Sequence, residues 1–197
     1  ASYIQAFEVN LFLTTAEKDA QIVIHPAACA SAILSIPPKY KCNTEDGQVR
    51  IAFDGDAVLF DESSELVYKE EGLEAFHKNE ENSQDIPMME GPFASFLKKL
   101  ASLQERLPMK TEYSPVRIAL VTARNAPADI RVIKTLRHWG VYVDEAYFLG
   151  GLEKSKILQS FQAHIFFDDQ EVHLKESSLV VPSGKVLYPS ASKLNNH

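Results

Sequence analysis

The stretch VRIAFDGDAVLF, residues 49–60, predicts a strand that ends in two closely spaced aspartates. The segment from Val49 to Asp54 has the pattern of a buried strand apart from one arginine, and only Gly55 separates Asp54 from Asp56. Burial of two neighbouring carboxylates is costly unless a cation or hydrogen bonds compensate their charge. Because Asp and Gly both favour turns, a plain turn is the alternative that the rest of the chain has to decide.

Composition places the chain among ordinary globular proteins. Its 197 residues suffice for one large core, or for a core with a small appendage, and 45% of them are hydrophobic against 24% charged. No apolar run approaches the roughly 20 residues that cross a bilayer, and no signal-peptide pattern opens the sequence. We therefore expect no membrane span and a cytoplasmic location.

Charge and cysteine content narrow the class of partner. The two cysteines, Cys29 and Cys42, are too few for a disulfide framework and lack a metal-ligand spacing, which fits a reducing compartment. The net charge of −7 argues against a nucleic-acid polymer, whose binding needs a basic face. A small phosphate substrate remains compatible if a metal ion supplies positive charge locally.

Strand-like and helix-like segments alternate along most of the chain. Helical periodicity extends over residues 91–107, 127–139 and 154–161. This alternation predicts an α/β fold, a Rossmann-like parallel sheet flanked by helices. The predicted strands are residues 9–13, 49–53, 117–121, 141–148, 164–167 and 179–181.

One acidic segment interrupts the alternation. Residues 61–115 include YKEEGLEAFHKNEENSQDIP and contain no convincing strand, so we interpret them as a helical insertion that caps the sheet edge. Phe76, Phe93 and Phe96 of this segment could stack on a base, although aromatic residues at helical spacing more often pack in a core.

A possible internal repeat links the start of the chain to its last third. YIQAFEVNLFLTTAEKDAQ, residues 3–21, aligns with ILQSFQAHIFFDDQEVHLK, residues 157–175, at a constant offset of 154. Thr14 and Thr15 stand where the later copy has aspartates. We expect a helix and then a strand that ends at these threonines, without a metal. Chance similarity of two helix–strand units is the alternative. If the repeat is real, the sequence opens near the end of a degenerate first copy whose earlier strands are missing.

Further chemically useful side chains follow other predicted strands. RIALVTARN ends in Thr122 and a turn whose N–H groups can bind an anion, and HIFFDDQ ends in Asp168 and Asp169. FLGGLEKSK places Lys154 and Lys156 at the start of the helix before that acidic strand. Because the carboxyl ends of parallel strands share one sheet edge, these groups should converge with Asp54 and Asp56. Four carboxylates together need a cation, and oxygen ligands without His or Cys favour Mg²⁺ over zinc.

Each feature has a plainer explanation when it is taken alone. DGDAVLFDESSE resembles a calcium loop with Glu65 at the twelfth position, but Val58 occupies a ligand position and Leu59 stands where the loop needs glycine. A solvated loop explains Asp168 and Asp169, a strand-end hydroxyl explains Thr122, and a solvated side chain explains Lys154. The order of the four features at successive strand ends is what makes the pattern specific.

That order, DxD, a strand-end Thr, a Lys and then DD, resembles the haloacid dehalogenase-like phosphohydrolases. The strings FDGDAVLF, LVTARN, FLGGLEK and HIFFDDQ are similar to those of the cytosolic type I 5′-nucleotidases within that group. The resemblance runs from the opening segment to about Tyr188 and is most specific in FDGDAVLF and IFFDDQ. By comparison with that family, we expect an N-terminal portion to be absent from the sequence.

The resemblance implies a role for each matching residue. Asp54 would be the nucleophile that forms an aspartyl-phosphate, and Asp56 the general acid and then the base for water, with a turn at Gly55 between them. The Asp54 carboxylate, the Asp56 backbone carbonyl and Asp168 would hold Mg²⁺, with Asp169 nearby or acting through water. The phosphoryl oxygens would bind three groups: Thr122, the amide of Ala123 and Lys154, with Lys156 as the alternative lysine.

We therefore expect a Mg²⁺-dependent enzyme that hydrolyses nucleoside 5′-monophosphates. A phosphatase for another small phosphorylated metabolite and a catalytically silent Mg²⁺-binding regulatory module are the alternatives. The predicted domains are a remnant of a degenerate repeat with a linker (1–48), a catalytic core (49–60 and 116–190) and a helical cap (61–115). The nucleotide is the expected partner, and a homo-oligomer is an alternative that the sequence leaves open.

Overall fold

The strands alternate with helices along the chain, as the sequence predicts. A computed structural model describes residues 2–24, 28–37, 40, 46–106 and 114–196. Its strands are β1 (Leu11–Thr14), β2 (Ala30–Ser35), β3 (Val49–Phe53), β4 (Val116–Thr122), β5 (Glu145–Phe148), β6 (Ile165–Asp168) and β7 (Ser183–Val186). Its helices are α1 (Ser2–Ala6), α2 (Glu17–Ile24), α3 (Ser63–Glu71), α4 (Leu73–Asn82), α5 (Ala94–Arg106), α6 (Asp129–His138), α7 (Ser155–Phe161) and α8 (Glu171–Ser177).

The seven strands form one sheet in the order β1-β2-β7-β6-β3-β4-β5. All neighbouring pairs are parallel except β2 and β7, which run antiparallel. The predicted α/β fold, a mostly parallel sheet flanked by helices, is confirmed. The strands β3, β4, β5 and β6 point the same way, so their carboxyl ends meet at one edge of the sheet.

Two predicted strands have wrong limits. Residues 179–181 form a turn after α8, in which the N–H groups of Val180 and Val181 both donate to the Ser177 carbonyl at 3.0 Å. Val181 is buried although it lies in this turn, so its hydrophobic side chain reflects packing in the core and not a strand. The strand predicted over residues 141–148 begins only at Glu145, because the preceding residues follow the end of α6 and the Val141 N–H donates to the Leu136 carbonyl.

The sequence analysis missed β2. Its sequence ASAILS combines small and polar residues, and Ser31 and Ala32 are fully buried although neither is strongly hydrophobic. Small side chains are needed where β2 meets β7, because a Cβ added to Gly184 of β7 would lie 3.0 Å from the Ala32 Cβ and 2.6 Å from the Phe167 ring.

Hydrophobic clusters cover both faces of the sheet. Phe53 and Phe167 lie on one face with Phe93 and Leu97 of the segment leading into and forming α5. Ala52 and Phe166 alternate onto the other face, where they pack with α7. The helix α5 of the predicted cap segment therefore contributes to the core beside the strands, whereas α3 and α4 pack mainly on each other.

The repeat predicted from sequence has a structural counterpart. The segment α1–β1–α2–β2 follows the same order of elements as α7–β6–α8–β7, and Leu11–Thr14 aligns with Ile165–Asp168 at the offset of 154. The predicted helix-then-strand element is present, and β1 ends at Thr14. Part of the linker, including Cys42, and residues 107–113 of the insertion lie outside the described residues. No helix in the described part of the chain is long and apolar enough to cross a membrane.

Candidate active site

The loop after β3 carries Asp54 and Asp56. Asp54 is anchored at the sheet edge because its N–H donates to the Phe167 carbonyl at 2.8 Å. Both aspartates have extended backbones, and the left-handed residue is Ala57, with a φ of 56°. The chain therefore turns two residues later than the Gly55 turn expected from sequence. Gly55 serves close packing instead, since a Cβ there would lie 3.3 Å from Thr122 Oγ1.

The segment before α5 holds this loop in place. The Phe60 N–H donates to the Gly55 carbonyl at 2.9 Å, and the Phe93 N–H donates to the Val58 carbonyl at 2.9 Å. A Cβ on Gly91 would lie only 2.2 Å from the Phe60 carbonyl oxygen, so the two segments approach more closely than a side chain permits. The loop that carries Asp56 is thus fixed by backbone contacts at its far end.

A buried lysine joins two of the aspartates. Lys154 Nζ lies 2.8 Å from Asp54 Oδ1 and 2.7 Å from Asp168 Oδ2, and only 2% of the lysine is exposed. Lys154 is the residue before α7, so the loop from β5 delivers it to the carboxyl ends of β3 and β6. Lys156, the alternative lysine, is exposed on the first turn of α7.

The two aspartates after β6 have different partners. Asp168 Oδ1 accepts the Gln170 N–H at 2.8 Å, and its Oδ2 lies 3.3 Å from His173 Nδ1. Asp169 accepts a hydrogen bond from the Tyr188 hydroxyl through Oδ2. Its Oδ1 is buried and has no protein partner among the described residues.

Thr122 ends β4 on the opposite side of Asp54 from Asp168. Its Oγ1 accepts the Arg124 N–H at 3.3 Å, and Ala123 follows it at the start of the loop. Arg124 then binds Asp56 with two hydrogen bonds, from Nε to Oδ2 at 2.7 Å and from Nη2 to Oδ1 at 2.6 Å. The structure therefore places every predicted site residue at one edge of the sheet.

The acids of this edge differ in how readily they ionise. Burial raises the pKa of Asp54 to about 6, although the charge of Lys154 opposes this rise. Burial and the negative charge of Asp168 raise the pKa of Asp169 well above its usual range. Burial also acts to raise the pKa of Asp168, but the interactions with Lys154 and His173 outweigh burial, so the pKa of Asp168 is lowered.

A further acid comes from the inserted segment. Glu65 of α3 is buried, accepts a hydrogen bond from Gln170 Nε2 at 3.1 Å and lies 3.7 Å from Lys69 Nζ. Burial and the nearby charges of Asp56 and Asp54 raise its pKa to about 7. The insertion thus adds a carboxyl group to an edge that is already rich in negative charge.

The residues present suit a hard divalent cation. Asp54, Asp168 and His173 each offer a ligand atom within 4.8 Å of the others. The unpartnered Asp169 Oδ1 is a buried oxygen with a free coordination site. The carboxylate oxygens suit Mg²⁺, whereas the imidazole of His173 departs from the ligand set without histidine that the sequence predicts. A bound cation would offset charge that Lys154 alone leaves uncompensated.

Sequence reasoning missed several members of the site. Arg124 lies within the quoted string LVTARN, where an arginine after an anion-binding turn was the available signal. His173 stands one helical turn beyond the acidic pair, so its position on α8 could have been noticed. No local signal connects Tyr188 with Asp169, or Glu80 with Arg124, because these contacts arise from tertiary packing.

Two cavities adjoin this edge. One of about 600 Å³ extends beside Ala57 and Asp61, and one of about 410 Å³ reaches Asp169 and Lys69. Tyr188 lines both cavities. The predicted stacking candidates do not line either of them: Phe93 and Phe96 lie in or against the core, and Phe76 packs under the Arg124 guanidinium, 5.2 Å from its ring centre.

The acid cluster bridged by Lys154 lies at the carboxyl ends of the parallel strands, where α/β enzymes bind their ligands. A family model described as 5′-nucleotidase matches residues 1–193, and the chain belongs to this family. It is 40% identical over 177 residues to the human (Homo sapiens) protein named cytosolic 5′-nucleotidase 1B. The match covers 88% of this chain and 28% of the relative, so the chain spans less than a third of that protein's length. The predicted resemblance to the cytosolic 5′-nucleotidases is confirmed.

Proposed function

We propose that this chain carries the catalytic unit of a Mg²⁺-dependent 5′-nucleotidase. It hydrolyses a nucleoside 5′-monophosphate to a nucleoside and phosphate through an aspartyl-phosphate on Asp54. The observation that supports this proposal most directly is the position of Lys154 Nζ, which lies 2.8 Å from Asp54 and 2.7 Å from Asp168, next to the loop of Thr122. This arrangement supports attack by a carboxylate on an anionic group, because a nearby cation offsets the repulsion. Family membership supports a nucleotide as the substrate.

The side chains divide the reaction between them. The Asp54 carboxylate attacks phosphorus, and the bond from phosphorus to the 5′ oxygen breaks as Asp56 gives that oxygen a proton. Asp56 then takes a proton from the water that attacks phosphorylated Asp54, which releases phosphate. Thr122, the Ala123 amide and Lys154 bind the phosphoryl oxygens and stabilise the charge that develops on them.

Mg²⁺ would be held by Asp54, the Asp56 carbonyl and Asp168, with Asp169 directly or through water. When bound, the ion supplies positive charge that lowers the repulsion between the phosphoryl group and the acids. Asp169 Oδ1, buried without a protein partner in the described ranges, supports its participation. The human relative is named as cytosolic, and we propose the same location for this protein. A homo-oligomer stays a prediction.

The test separates the two aspartates. Asp54→Asn should give neither phosphoenzyme nor product. Asp56→Asn should lose about 10²- to 10⁴-fold on a nucleoside monophosphate, because the alkoxide leaves poorly without a proton. With p-nitrophenyl phosphate the first step should suffer much less, and phosphorylated Asp54 should accumulate. The measurement is trapping of the phosphoenzyme and release of phosphate, with and without a chelator and with Mg²⁺ added back.

Three outcomes would contradict the proposal. These are phosphoenzyme in Asp54→Asn, identical behaviour of the two variants on both substrates, and full activity after exhaustive chelation. A panel of nucleoside monophosphates and sugar phosphates tests the alternative of another small phosphorylated metabolite. Faster turnover of a sugar phosphate than of every nucleotide would favour that alternative.

A further inference from the structure

Resting on the proposed function, we propose that Arg124 is the positioning residue of Asp56, and that Glu80 of the inserted helix α4 fixes Arg124 in turn. The carboxylate that moves the proton is then held by a side chain whose own place depends on the insertion. The position of α4 would thereby set the geometry of the acid–base step.

Arg124 and Asp56 form a bidentate ion pair. Nε and Nη2 donate to the two carboxylate oxygens at 2.7 and 2.6 Å, and both side chains are buried. The planar guanidinium fixes the plane of the carboxylate, which a lysine, with a single ammonium, cannot do. Each Asp56 oxygen keeps a lone pair beyond its contact with Arg124, so the side chain can still carry the proton that it gives to the leaving oxygen and later takes from water.

Every remaining donor of Arg124 also has a protein partner. Nη1 donates to Glu80 Oε2 and to the Ala128 carbonyl at 3.3 Å, and Nη2 contacts Met88 Sδ at 3.4 Å. Together with the two bonds to Asp56, these contacts occupy all five N–H groups of the side chain. Arg124 therefore has no donor free for a phosphoryl group, which separates its role from that of Lys154.

Glu80 connects this arginine to the insertion. It is completely buried, and besides Arg124 it accepts hydrogen bonds from Arg131 Nη1 at 2.9 Å and from Ser64 Oγ at 2.7 Å. The two acids Asp56 and Glu80 are matched by the two arginines, so the group as a whole is close to neutral. Removal of one partner would leave a buried charge uncompensated, so each member keeps the others in place.

The test compares Arg124→Lys with Arg131→Lys. Both changes keep the charge and remove the planar fork, but only Arg124 contacts Asp56. The readout is the rate of the first step, from burst kinetics, on a nucleoside monophosphate and on p-nitrophenyl phosphate. We expect Arg124→Lys to lose about 10- to 100-fold on the nucleotide and less than about threefold on the aryl phosphate. Arg131→Lys should change the rate of the first step by the same factor on both substrates.

A double variant isolates positioning from general damage. In an Asp56→Asn background there is no acid to position, so adding Arg124→Lys should cost little further activity on the nucleotide. Equal losses on both substrates, or a full additional loss in the double variant, would overturn the proposal. If Arg124→Lys does not fold, Glu80→Gln replaces it and should show a smaller loss, about 3- to 10-fold, with the same substrate selectivity. An unmodified protein that hydrolyses neither substrate would overturn the proposed function itself.

Discussion

The two halves of the predicted internal repeat, residues 3–21 and 157–175, share a sequence pattern but occupy different environments. Phe161 of α7 is 4% exposed, whereas its counterpart Phe7, just after α1, is 77% exposed. Phe167 of β6 is fully buried, whereas Leu13 of β1 is 36% exposed. The strand β6 lies between β7 and β3, while β1 lies at an edge of the sheet. The same pattern therefore contributes to the core in one place and to the surface in the other.

Direction separates the two halves further. Because β2 and β7 are antiparallel, β1 runs opposite to β6, and Thr14 ends its strand at the edge of the sheet away from Asp168. An acid at Thr14 would therefore not join the cluster around Lys154. An acidic strand end therefore contributes to this site only when its strand runs parallel to β3 and β4, so that its carboxyl end lies at the same edge of the sheet.

Removal of the acid from one half should have the largest effect. Asp168→Asn takes away a partner of Lys154 and a proposed Mg²⁺ ligand, so we expect a loss of activity on the order of 10³-fold or more. Thr14→Val at the corresponding position should change activity less than about twofold, because within the described ranges the Thr14 hydroxyl accepts a hydrogen bond only from the nearby Ala16 N–H. Phosphate release under saturating Mg²⁺ measures both. Comparable losses of activity in the two variants would show that the ends of β1 and β6 do not differ in their contribution to the site.

Packing should distinguish the halves by stability. Phe161→Ala opens a cavity in the cluster with Leu158 and Phe166, and we expect it to cost about 3–5 kcal/mol of unfolding free energy. Phe7→Ala should stay within about 0.5 kcal/mol, because its ring is mostly in solvent. Urea unfolding followed by circular dichroism gives both values. A cost above 2 kcal/mol for Phe7→Ala would show that the first half is as tightly packed as the second.

Periodicity made much of this fold predictable, because a strand or helix that buries one face repeats its apolar residues at a fixed interval. It located β3, β4, α6 and α7 within a few residues. It could not reveal β2, whose buried residues are small, nor the antiparallel contact of β2 with β7, because local pattern carries no information about a neighbour's direction.

The site was predictable to the extent that it follows strand ends. Asp54, Thr122 and Asp168 each end or follow a strand, so the shared direction of the strands brings them together. The contact of Arg124 with Glu80 joins residues 44 positions apart through packing of α4, and no spacing in the sequence encodes it. The choice of Lys154 over Lys156 likewise depends on where the loop before α7 enters the sheet edge.

The smallest expected effect concerns the ionisation of Glu65 at the acidic edge of the sheet. Burial and the charges of Asp56 and Asp54 raise the pKa of Glu65 to about 7, from an ordinary value of 4.5. The folded protein therefore binds this proton more tightly than the unfolded chain, and stability falls as the pH rises from about 4.5 to about 7. Glu65→Gln removes the ionisation, so in metal-free buffer the variant should be more stable than the parent by up to about 3 kcal/mol at pH 8, and nearly equal to it near pH 4. Glu17→Gln in the exposed first turn of α2, within the first half of the predicted repeat, is the control for an exposed glutamate, and it should stay within about 0.5 kcal/mol at both pH values. Urea unfolding of the three proteins at the two pH values decides the matter, because a Glu65→Gln variant that is less stable than the parent at pH 8 would mean that this carboxylate supports the edge instead of straining it.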